Sequence, residues 1–177
     1  MKRLLLTITV VMALAAILLI AGCSKDDDND SNSNNPTGSG SISNRMTAKV
    51  DGVDFSENAG ASYFTPTNTL HIGGGGMGYP KIELVLPYDE CAEGKSFSFG
   101  GVFTTQRSRA VCYTSISDDY HDHDEQNCGT VTLTLYNGSR AKGTFSVDLY
   151  KEDQYGNIDG QVSITEGTFD VEVIKGY

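Results

Sequence analysis

The chain has 177 residues, with 23 acidic side chains against 13 Lys and Arg and a formal charge of -10. That balance disfavours nucleic acid as a partner, because phosphate-backbone affinity comes from clustered cations that displace counterions. Hydrophobic residues make up 38%, enough for a core; Trp is absent, which argues against a broad carbohydrate platform, although nine Tyr could supply stacking faces.

Met1-Lys2-Arg3 is positive, residues 4–20 are apolar, and Ala21-Gly22-Cys23 closes the segment. This order reads as a lipoprotein signal peptide over residues 1–22, the small pair admitting a peptidase and Cys23 becoming the lipidated first residue. The alternative is an uncleaved anchor, since about 20 apolar residues span a bilayer. Both place the rest of the chain outside the cytoplasm, because the positive charges stay inside. A diacylglyceryl group plus an N-acyl chain such as palmitate is enough for stable membrane anchoring. Losing Lys2 and Arg3 takes the formal charge to -12.

Residues 23–44 read as a disordered tether. Ser24-Lys25-Asp26-Asp27-Asp28-Asn29-Asp30 is acidic, and residues 31–43 are rich in Ser, Asn and Gly. Such a composition buries too little apolar surface to offset its ordering entropy. As a coil it would span roughly 25 Å. Ser24, Lys25 and Asp26 to Asp28 resemble the export signal that directs Bacteroidota lipoproteins to the outer leaflet of the outer membrane. The plainer reading is an acidic, solvated spacer.

From residue 45 to 177 alternation of period two is punctuated by turn residues, and the expected fold class is all-β. Asp51-Gly52, between Thr47-Ala48-Lys49-Val50 and Val53-Asp54-Phe55, is a hairpin signal. Further strands are expected at 70–72, 82–86, 131–135 and around Phe145, Val147 and Leu149. A last pair, residues 161–165 and 168–174, turns Val162, Ile164, Phe169, Val171 and Val173 inward. Eight to ten short strands suggest an antiparallel β-sandwich, with a partly closed barrel as the alternative.

Met46-Thr47-Ala48-Lys49-Val50-Asp51-Gly52-Val53-Asp54-Phe55, Ala141-Lys142-Gly143-Thr144-Phe145-Ser146 and Ile164-Thr165-Glu166-Gly167-Thr168-Phe169-Asp170-Val171 resemble an uncharacterised family of small Bacteroidota lipoproteins. The resemblance implies a β-sandwich on a lipid anchor and no assigned activity.

Several motifs carry potential chemistry. Gly73, Gly75 and Gly78 match GxGxxG, but no helix is expected after them to face an anion, so a hairpin loop is expected. Residues 117–125 hold His121, His123, Asp122 and Asp124, candidate ligands for Zn²⁺, Cu²⁺ or Ni²⁺, with the imidazoles on one strand face and the carboxylates on the other. A solvated loop is the competing reading. Residues 153–160 resemble a calcium loop and read as a turn. Cys91, Cys112 and Cys128 lie in a compartment that permits disulfides, and a Cys112–Cys128 bridge would staple the His loop. Three reduced, buried thiols are the alternative. His71 reads as a solvent-facing strand residue.

No nucleophile elbow or HExxH is present, and no cofactor is implied. The leading functional expectation is a non-enzymatic domain, lipid-anchored in the outer membrane and facing the exterior, that binds an envelope protein or a glycan. An extracytoplasmic enzyme or inhibitor with a loop-borne site, and a weak transition-metal module, are the alternatives.

Overall fold

The computed structural model describes residues 41–101, 107–123 and 127–176. The signal peptide, Cys23, most of the tether and Asp124 lie outside the described residues.

The described chain is all-β. Its strands are β1 (Arg45–Val50), β2 (Val53–Phe64), β3 (Thr69–Gly74), β4 (Lys81–Pro87), β5 (Ser96–Phe99), β6 (Arg109–Tyr113), β7 (Asp119–His121), β8 (Gly129–Tyr136), β9 (Arg140–Glu152) and β10 (Ile158–Lys175), with one 3₁₀ turn at Tyr88–Glu90. All ten belong to one hydrogen-bonded sheet in the order β1-β10-β2-β3-β4-β6-β7-β9-β8-β5, with further pairings of β1 to β2 and β10 to β9. These pairings fold the sheet back on itself around one core. One side of β9 is taken by β10; the other is shared by β8, as far as Val147, and by β7 at Tyr150. The His121↔Tyr150 register is the sole β7–β9 pairing among the described residues.

Two expectations are corrected. The sheet is mixed, not purely antiparallel: residues 173–175 of β10 run parallel to 61–63 of β2. The cause is length. Six-residue β1 lies antiparallel to both long strands, so where β1 begins, β10 and β2 come side by side in the same direction. The expected last pair of strands is instead one strand of 18 residues. Glu166 adopts a left-handed φ of 54° and the β9 register shifts between Ile164 and Gly167. The supposed turn is therefore a bulge, and Phe145 fills the place where a Gly167 Cβ would sit, 2.6 Å away.

The alternation itself holds. Val162, Ile164, Phe169, Val171 and Val173 are buried, with Met46, Leu70, Ile72, Ile82, Leu84, Leu86, Phe99 and Leu149 among their neighbours in one cluster. Each such side chain contributes about 1.5–3 kcal/mol of transfer free energy. Asp51 and Gly52 both have positive φ (49° and 79°), which sets the tight β1–β2 hairpin.

Strand directions place four connections at one end of the sheet: the 51–52 turn and the loops at 75–80, 114–118 and 153–157. The chain joins the wall at mid-height. Asn44 accepts the Ala59 N–H on its carbonyl (2.8 Å) and the Glu172 N–H on its side chain (2.9 Å). From there β1 rises about 20 Å to the loop end.

Candidate functional site

The His-rich segment lands in a polar cleft of about 400 Å³ between β6, β7 and the end of β9. Alternation turns His121 and His123 outward and Asp122 inward, as the spacing predicts. His121 Nε2 lies 2.9 Å from Asp119 Oδ2, and this hydrogen bond holds the Asp119 carboxyl below its ordinary value. His123 Nε2 lies 3.5 Å from Glu152 Oε1, its ring edge-on to Tyr150. Lys151 Nζ donates to Asp118 Oδ1 at 2.6 Å; with Ser115 it lowers the Asp118 pKa.

Asp122 has a different task from the ligand role expected of it. Its side chain is withdrawn from solvent and accepts N–H bonds from Gly100 and Ala110, each at 3.1 Å, with Arg107 Nη2 at 3.6 Å. Asp122 N–H in turn donates to Ala110 O. The carboxylate thus pins the end of β5 and the start of β6 to the chain leaving β7. The imidazoles are paired with separate carboxylates, and among the described residues no three His, Cys, Asp or Glu side chains are grouped to hold a metal ion. Asp124, the remaining candidate, lies outside those residues.

Of the two readings of the cysteines the structure has the reduced one: Cys112 and Cys128 are buried thiols not bridged to each other, and Cys91 is half-buried. Each of the two buried sulfurs sits in the core cluster, and Cys128 Sγ accepts the His123 N–H at 3.1 Å, a bond that needs no disulfide to hold the segment. Burial pushes the Cys112 pKa up to about 11 and Cys91 up to about 12, with Glu90 adding to the latter. Burial also raises Cys128. These thiols are hydrophobes rather than nucleophiles.

Two further features shape the surface. At the loop end Val53, Met77, Ile116 and Tyr155 are exposed by 70%, 103%, 92% and 79%. Val50, Val53, Phe55 and Pro80 line an apolar pocket of about 200 Å³ there, and Thr114 brings the 114–118 loop to its rim. The Lys151–Asp118 pair ties that loop to the end of β9. The 153–157 connection is a turn, as expected: Asp153 Oδ1 accepts the N–H of Tyr155 and of Asn157.

On the outer face of β2, β3 and β4, His71 Nδ1 lies 2.7 Å from Glu83 Oε1 and its Nε2 lies 3.0 Å from Thr69 Oγ1. The row has the order hydroxyl, imidazole, carboxylate. It sits in mid-strand, where the backbone amides are committed to the ladder and supply no oxyanion donors. Sequence reasoning placed His71 on this face and missed Glu83, since the partner comes from another strand twelve residues on. Tyr63 and Tyr88 stack on each other at 3.8 Å, so these two faces serve the fold.

No protein-family model, curated protein or solved structure matches this chain.

Proposed function

We propose that this protein is a lipid-anchored, surface-exposed, non-enzymatic binding module of the bacterial envelope, and that its β-domain offers its loop end to a protein partner. The N-terminal residues support the anchor: a positive start, an apolar run and Ala21-Gly22-Cys23, followed by the acidic Asp26-Asp27-Asp28. The resemblance to small Bacteroidota lipoproteins points the same way.

The observation that carries the binding role is the exposed apolar set at the loop end, Val53, Met77, Ile116 and Tyr155. Water-exposed apolar side chains gathered at one end of a domain mark an interaction surface, whereas scattered ones do not. The tether joins about one β1 length below that end, which leaves the tips clear of the attachment point. The polar cleft supports a catalytic reading less well: its imidazoles are paired with carboxylates, and among the described residues no aliphatic hydroxyl or thiol lines it.

Cross-linking on intact cells tests the proposal, comparing wild type with a Met77→Asp/Ile116→Asp/Tyr155→Asp variant of unchanged circular dichroism. The expected result is a discrete cross-linked species with wild type that is lost in the variant. A species that persists unchanged in the variant refutes the loop end as the binding surface.

A further inference from the structure

The trough beside His71 has a floor that the fold does not explain. Gly60 of β2 and Gly73 of β3 are directly paired across the strands, and both face outward. Neither has the left-handed φ that would require glycine, and a Cβ added at Gly60 would meet nothing within 4 Å. At Gly73 it would meet only the Ile82 carbonyl, at 4.0 Å. The register through both is unbroken from Ala59 to Phe64, so no bulge accounts for them. Gly143 contrasts sharply, since a Cβ there would lie 2.6 Å from the Phe169 ring. Glycine weakens a strand interior, and where packing does not demand it, it marks a place where something else approaches the backbone closely.

The walls of this trough, about 450 Å³ in volume, say what approaches. His71 is fixed from both ring nitrogens, by Glu83 and by Thr69, whose hydroxyl is itself 2.7 Å from that of Thr67. Glu83 and Glu172 supply carboxylate oxygens, and Ser62 lies across from His71. Phe64 stands next along the same face, 40% exposed and edge-on to His71 at 6.2 Å. The rim sets two carboxylates beside the exposed side chain of Ile174, and its negative charge excludes phosphate, sulfate and acidic sugars. The strands are already paired on both sides at this point, so an extended peptide cannot add to the ladder. What fits is a flat, uncharged ring that offers many O–H donors.

We propose that the Gly60–Gly73 trough is a binding site for a neutral pyranose oligosaccharide, separate from the loop end. One sugar ring would lie on the bare peptide planes, its hydroxyls donating to Glu83 and Glu172, and a further ring of the same chain would extend along the strands past His71 toward Phe64, four residues from Gly60.

Full-length protein in a non-glycosidic detergent, applied to an array of neutral hexasaccharides (xylan, mannan, β-glucan and chitin types), provides the test. Wild type is expected to bind at least one. Gly60→Thr/Gly73→Val is expected to lose binding at least tenfold while its melting temperature stays level or rises, because β-branched residues suit an outward strand position. His71→Ala is expected to weaken binding severalfold. Absence of any bound saccharide with wild type overturns the proposal. So does unchanged binding by the double variant, or a fall in its melting temperature, which would make the glycines structural. Binding that appears only after residues 31–40 are deleted also overturns it, by giving the trough to the chain's own tether.

Discussion

Removing the Asp122 carboxylate should cost far more than its place in a polar loop suggests. In Asp122→Ala the Ala110 N–H loses its side-chain acceptor inside the core, where an unpaired donor costs about 1–3 kcal/mol. The Gly100 N–H loses one at a half-buried site, at the low end of that range. Arg107, whose side chain is only 10% exposed, loses its neighbouring anion but keeps its bond to Gly101 O, so its share of the cost is the smallest. Together these amount to about 4 kcal/mol, or roughly 12 °C in melting temperature for a domain of this size. Asp122→Asn keeps one acceptor oxygen and should lose about half as much. Urea unfolding followed by circular dichroism and tyrosine fluorescence (there is no Trp) measures both. A loss below about 1 kcal/mol for Asp122→Ala would refute the pin. Unchanged stability with loss of zinc binding would return Asp122 to the ligand role expected from sequence.

Arg140 Nε and Nη2 grip both oxygens of Asp170 at 2.8 and 2.7 Å. The Arg140 hydrogen bond lowers the Asp170 pKa from 3.8, so its stabilisation is present above that value and is lost as pH falls through the folded one. Arg140→Ala should lower the urea midpoint at pH 7, and by progressively less as the pH is taken down below 3.8; a midpoint difference that stays constant throughout acid titration would contradict this. Cys91, Cys112 and Cys128 should migrate identically on reducing and non-reducing gels, and should react with Ellman's reagent at pH 8 only after unfolding. Rapid native labelling of Cys112 would sink the account of its burial.

Strand positions and inward-facing residues were legible because alternation is local: Val162, Ile164, Phe169, Val171 and Val173 need no knowledge of their neighbours to be assigned inward. The bulge at Glu166 was not, because a Glu-Gly pair reads as a turn until Phe145 is known to occupy the space over Gly167. The parallel β2–β10 contact was hidden for a similar reason, since it arises from the unequal lengths of three strands. At the site, the outward imidazoles were legible and the role of Asp122 was not. A carboxylate between two outward-facing imidazoles looks like a ligand, and only the approach of Gly100 and Ala110 from other strands makes it an anchor for amides. For Cys112 and Cys128 the sequence left a staple and two core thiols as alternatives, because spacing cannot distinguish them.

The closed circuit of strands has a consequence for behaviour in a crowd. β1 is hydrogen-bonded on both sides, and the chain of pairings ends only at β5, four residues long and bridged at Phe99 to Ser108. An open strand edge is a template for a second copy of the same strand, and the hazard grows with local concentration. Molecules confined to a surface meet one another far more often than the same number in bulk. Among its described residues this domain offers such a neighbour almost no unpaired backbone, so copies can be packed densely without seeding a common sheet, and contacts between molecules are left to side chains.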